Sequence, residues 1–174
     1  MRLPLSLAAA GILLAIPAQA HVTLDPASAP AGSFVRAALR VPHGCNGAAT
    51  TRIAVEIPEG IYIAKPMPKP GWRLTIERRR PPQAAHAAHA AHGHHEEEEE
   101  VARIIWEGGR LPDDQYDEFV LMLQVPNEPG GTLFLPVTQG CEGGRSDAWA
   151  ERPAPGQQAH DLAHPAPAMR LNPR

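Results

Sequence analysis

Short runs of alternating apolar residues, each cut off by proline or glycine, constrain this chain more than any other feature. Thr50 to Ile57 (TTRIAVEI) is the clearest: Ile53, Val55 and Ile57 fall on one face, Arg52, Ala54 and Glu56 on the other. Successive side chains of a strand point to opposite faces, so such a run fits a strand with one buried side. Phe34 to Val41, Trp72 to Glu77, Val101 to Trp106, Glu118 to Val125 and Thr132 to Thr138 read the same way, and a short final strand is expected at Ala168 to Leu171. Between them lie Asn46-Gly47, Pro58-Glu59-Gly60, Lys69-Pro70-Gly71, Glu107-Gly108-Gly109 and Pro129-Gly130-Gly131, drawn from 20 prolines and 15 glycines and placed where turns belong. No segment shows an amphipathic helix. About seven strands in roughly 120 residues predict an all-β, immunoglobulin-like antiparallel sandwich, with Trp72 and Trp106 in its core.

The first twenty residues stand apart. Arg2 gives a positive start, Leu3 to Pro17 is apolar and uncharged, and Pro17-Ala18-Gln19-Ala20 ends in the small-x-small pattern of a secretory cleavage site. The expected mature chain starts at His21 and is periplasmic or secreted. The apolar run is too short to span a bilayer, and the mature part has no longer one, so no membrane span is expected there. Cys45 and Cys141 are the 2 cysteines. In an oxidising compartment such a pair forms a disulfide; the rival reading is a copper–thiolate site. Cys45 ends one strand and Cys141 follows the last strong one, so the bond should tie strand ends.

The expected domain runs from 21 to 171. Residues 81–100 (PPQAAHAAHAAHGHHEEEEE) are an inserted low-complexity loop that offers no packed face. The formal net charge of −3 says little. Arg78-Arg79-Arg80 is the one basic cluster, read as a solvated loop, so no nucleic-acid partner is expected.

Chemistry concentrates on the histidines. Cleavage after Ala20 frees an α-amine on His21, with a pKa of about 8. That amine and Nδ1 of the same residue can close a six-membered ring on one ion, and two nitrogens in a plane suit Cu(II). The competing reading is a frayed, unliganded terminus. Two donors leave a site incomplete. His43 in VPHGC, Glu56, Glu118 and Glu142 are candidates to complete it, or are a turn histidine and solvated carboxylates. His86, His89, His92, His94 and His95, beside Glu96 to Glu100, form a secondary tract with weak affinity for Cu, Zn or Ni, or a neutral repeat. Trp149, in SDAWAERPAP, either caps the core or stands over a bound ion through its indole face.

The order His21-Val-Thr-Leu-Asp-Pro, Ala31-Gly32, Val41-Pro42, Thr50-Thr51 and Pro70-Gly71-Trp72 resembles the YcnI-like copper-binding domain, here a periplasmic member of Gram-negative type. Trp106, Glu118-Phe119 and Trp149 fit its second half. The resemblance implies an immunoglobulin-like fold facing outward from the cell membrane. It also implies Cu(II) held by the terminal histidine in a single-histidine brace, with a carboxylate and a nearby tryptophan. His21 and Trp149 carry over. Where many members have an acidic residue after Val-Pro, this chain has His43-Gly44-Cys45; either His43 substitutes, or Glu56 or Glu118 supplies the carboxylate.

Three functions follow. The leading one is an exported, non-enzymatic copper carrier or buffer that passes Cu(II) to a periplasmic or membrane transfer protein. The second is a copper-dependent oxidative enzyme, which would normally carry a second brace histidine and a flat aromatic face. The third is a metal-free interaction sandwich.

Overall fold

The computed structural model describes residues 21–61, 63–80 and 99–174. Among the described residues there are twelve strands: β1 (Thr23–Asp25), β2 (Ser28–Pro30), β3 (Phe34–Val41), β4 (Thr50–Glu56), β5 (Ala64–Pro66), β6 (Arg73–Arg79), β7 (Glu100–Leu111), β8 (Asp117–Gln124), β9 (Thr132–Phe134), β10 (Val137–Cys141), β11 (Ser146–Trp149) and β12 (Ala168–Asn172). They form a four-stranded sheet ordered β1-β3-β8-β5 and a five-stranded sheet ordered β11-β10-β4-β7-β6. All pairings within these two sheets are antiparallel. A third sheet, β2-β12-β9, closes one end, with β2 and β12 running parallel. The expected all-β immunoglobulin-like architecture is therefore present. Among the described residues no helix is long and apolar enough to cross a membrane.

One core lies between the sheets. Val35, Ala37, Leu39 and Val41 of β3 face Ile53 and Val55 of β4, Ile104 and Trp106 of β7, and Phe119, Leu121 and Leu123 of β8. Apolar burial of this kind contributes about 25 cal/mol per Å² removed from water. Trp106 is fully buried and donates its indole N–H to the Met67 carbonyl at 3.1 Å. Trp72 is only partly buried, packed edge-on to Phe119 with ring centroids 4.9 Å apart, so it caps the core rather than filling it.

Two expected boundaries shift, each for a local reason. Gly108-Gly109 is not a turn: β7 runs through it, with Gly108 at φ 83° and the β4 register slipping between Thr50 and Arg52. The positive φ allows a bulge that glycine accommodates without a Cβ clash. A Cβ on Gly109 would sit 2.2 Å from Trp72 Cε2, so its absence makes room for the indole. Gly109→Ala should therefore cost about 1–3 kcal/mol, as overpacked cores do, read as a lower denaturation midpoint with a shifted Trp72 emission. The single run Thr132 to Thr138 divides at Leu135-Pro136 into β9 and β10, which belong to different sheets. Proline has no N–H to continue a ladder, and the chain changes sheets there.

Arg78 and Arg79 are not loop residues but the end of β6. Arg79 donates to the Ile57 carbonyl at 2.8 Å and to Glu100 Oε2 at 3.3 Å, which supplies the buried Glu100 with its counter-charge. Glu100, the last residue of the acidic run, already belongs to β7. Cys45 and Cys141 are bonded, with Cα atoms 5.9 Å apart. Cys45 lies in a bridge with Ala48 around the Asn46-Gly47 turn, and Cys141 ends β10. The bond thus ties strand ends together, as expected, and the thiolate-site alternative is set aside.

Candidate metal centre

β1 and β11 are edge strands of the two facing sheets, and the centre lies where they meet. β1 pairs with β3 so that Thr23 opposes Arg40. Two steps further out, this register sets His21 beside Pro42, with His43 following. β11 supplies Trp149, which opposes Val137 of β10 and turns inward to near-complete burial. The His21 ring lies 5.9 Å from the Trp149 ring, centroid to centroid, and the His43 ring 6.4 Å from it.

A third imidazole approaches the same indole. His164 lies 5.1 Å from Trp149 and 3.8 Å, through Nε2, from Asp147 Oδ1. Its carbonyl accepts the N–H groups of Ala150 and Glu151 at 3.0 Å each, which pins the segment against the end of β11. Sequence reasoning missed His164 because the tail after Glu151 has no periodicity. Asp147 was legible once β11 is known, since it stands two residues from Trp149 on the same strand face.

The site is braced from behind. Trp149 Nε1 donates to Gln139 Oε1 at 2.9 Å. Gln139 Nε2 donates to the His43 carbonyl at 2.7 Å and to Thr50 Oγ1 at 2.7 Å. His43 Nδ1 lies 2.5 Å from the Gly44 carbonyl. A carbonyl only accepts, so the proton of this bond belongs to Nδ1, and Nε2 is the ring nitrogen left for another partner.

The carboxylates named from sequence are engaged elsewhere. Glu56 pairs with Arg103 at 2.5 Å on the outward side of β4. That hydrogen bond, then its charge, raises the Arg103 pKa above its ordinary value. Glu118 bonds Arg40 at 3.1 Å and lies 3.7 Å from Arg36. Arg40 is likewise shifted upward, first by its hydrogen bond to Glu118 and then by the charge of Asp25. Glu142 bonds Arg110 at 2.7 Å. Among the described residues no three His, Cys, Asp or Glu side chains converge as a group able to hold an ion. The histidine tract, His86, His89, His92, His94 and His95, lies outside the described residues.

A sandwich of this topology, with one edge built from histidines around a buried tryptophan, defines an immunoglobulin-like domain carrying a histidine-rich rim. A solved structure of similar fold is that of an uncharacterized protein from Nocardia farcinica, described as immunoglobulin-like: TM-score 0.65, 26% identity, covering 87% of this chain and 98% of that one. The chain belongs to the family described as domain of unknown function DUF1775, whose model matches residues 21–171. It is also 25% identical over 114 residues to the copper-binding protein CutI of Bacillus subtilis (strain 168), covering 64% of this chain and 47% of that protein. The match thus spans about half the length of this relative. The YcnI-like resemblance read from the motifs agrees with both findings.

Proposed function

We propose that this chain is an exported copper-binding protein that holds Cu(II) through the α-amine and imidazole of His21, freed by cleavage after Ala20, for copper trafficking or buffering in the periplasm. The observation that carries the reading is the place of His21. His21, the first residue of the expected mature chain, lies beside the buried Trp149, with ring centroids 5.9 Å apart. The described His, Cys, Asp and Glu side chains form no three-donor cluster of their own, and a terminal amine would add a donor to the rim.

His43 is the candidate to complete the brace, because its ring also approaches the Trp149 indole and its Nε2 is not the nitrogen that bonds Gly44. Glu56 and Glu118 would each have to leave an arginine to take part. Trp149 walls the ion and can face it through its π-cloud. Cu(II) electron paramagnetic resonance at one equivalent tests this. The processed protein should show nitrogen hyperfine structure, His21→Ala should abolish that spectrum, and His43→Ala should remove part of it. A spectrum unchanged in His21→Ala would overturn the brace.

A further inference from the structure

Gln139 is a fully buried polar residue that copper binding as just described leaves without a role. It sits on the inward face of β10, between Val137 and Cys141, which are both buried. A polar side chain enclosed in an apolar core costs stability unless every group is satisfied. Here each bond has a place in the rim. The amide oxygen takes the Trp149 indole N–H, and the amide nitrogen gives its protons to the His43 carbonyl and Thr50 Oγ1.

The orientation of this amide is set by its neighbours. An indole N–H can only donate and a backbone carbonyl can only accept, so oxygen faces Trp149 and nitrogen faces His43. Glutamate keeps the acceptor and the length but loses both donors. Methionine keeps the size and loses all three bonds. Asparagine keeps the chemistry and is one methylene short.

We propose that Gln139 is the positioning residue of the copper pocket: one amide fixes the indole of Trp149 and the His43 loop relative to each other, and so sets where the ion meets them beside His21. This rests on the copper reading above. The same residue is tied to the disulfide region, since Cys45 Sγ lies 3.8 Å from the Gln139 carbonyl and Thr50 Oγ1 lies 3.9 Å from Cys141 Sγ. The two site groups are therefore referenced to a covalently closed part of the fold.

The test compares Gln139→Glu, Gln139→Met and Gln139→Asn with Thr50→Val, each in the processed protein. Thr50→Val removes one of the three bonds but leaves those to Trp149 and His43, so it isolates plain loss of stability. Thermal midpoint, the Trp149 indole N–H resonance, the Cu(II) hyperfine splitting and affinity against a competing chelator are measured for all. The glutamate and methionine variants should bind Cu(II) about tenfold more weakly, the low end of what outer supporting residues contribute, with an altered copper splitting and a displaced indole resonance. Asparagine should fall between them and wild type, and its mildness covers the case where the others do not fold. Thr50→Val should be less stable with a wild-type copper spectrum.

Folded Gln139 variants with unchanged affinity and splitting would overturn the proposal, as would a Thr50→Val protein equal to them in copper loss. His21→Ala separates the two claims. Should it keep the tight ion while Gln139→Glu loses it, the brace falls and the positioning role stands. The opposite pattern removes the positioning role alone.

Discussion

Protein that starts at His21 should take up one Cu(II) tightly, and the same chain with residues 17–20 still attached should hold that ion more than about a hundredfold more weakly. Loss of an outer supporting residue costs about 10–100-fold in metal affinity, and here a donor of the ion itself is withdrawn. With the leader in place, the nitrogen of residue 21 is a peptide nitrogen whose lone pair is delocalised into its carbonyl. Only the imidazole remains, and the six-membered chelate cannot close. The carboxylates of Glu56, Glu118 and Glu142 offer no easy replacement, because each is paired with an arginine. Retaining four leader residues is preferable to retaining one, since an amine directly preceding histidine forms a chelate of its own. Competition with a chelator of known affinity, on chains whose first residue is fixed by mass spectrometry, gives the ratio. The tract from His86 to His95 contributes weak uptake equally to both chains and cancels. Equal tight binding in the two would end the claim that residue 21 is a terminal brace.

The part of this molecule that was legible in the sequence is the part governed by a period of two. β3, β4 and β8 lie within a residue of the alternating runs that announce them. β1, β2 and β5 are three residues each, too short for alternation to register, and exist because neighbouring strands complete their ladders. Gly108-Gly109 misled because a diglycine is a turn signal in isolation, whereas here the packing of Trp72 requires it inside a strand. At the site, His21 and Trp149 were reached through cleavage chemistry and family resemblance, and His43 through its place at a strand end. Gln139 was within reach of the same alternation: Val137, Gln139 and Cys141 share a face, and a polar residue there has to be satisfied internally. His164 was not, since its approach to Trp149 depends on an irregular segment folding back beside β11.

Replacing both cysteines by alanine should remove about 4–5 kcal/mol of stability. The bond closes a loop with a sequence separation of 96 residues, and in the chain-entropy model a loop of that size restricts the unfolded ensemble by about this amount. For a domain of this length that corresponds to a fall in thermal midpoint of roughly 10–20 °C. Urea titration of the oxidised protein against the double variant gives the figure, and a difference under about 1 kcal/mol would mean that the unfolded chain is already constrained by other means. The loss should not be spread evenly. Cys45 follows His43 by two residues and Cys141 follows Gln139 by two, so the freed segment carries one site histidine and abuts the residue that bonds its carbonyl. Hydrogen exchange should therefore rise first at Gly44 to Ala48 and at the Trp149 indole N–H, ahead of β3 and β8, whose pairing does not depend on the bond. A uniform rise across all strands would instead show that the disulfide stabilises only the domain as a whole, and that the histidine rim draws its rigidity from the two sheets alone.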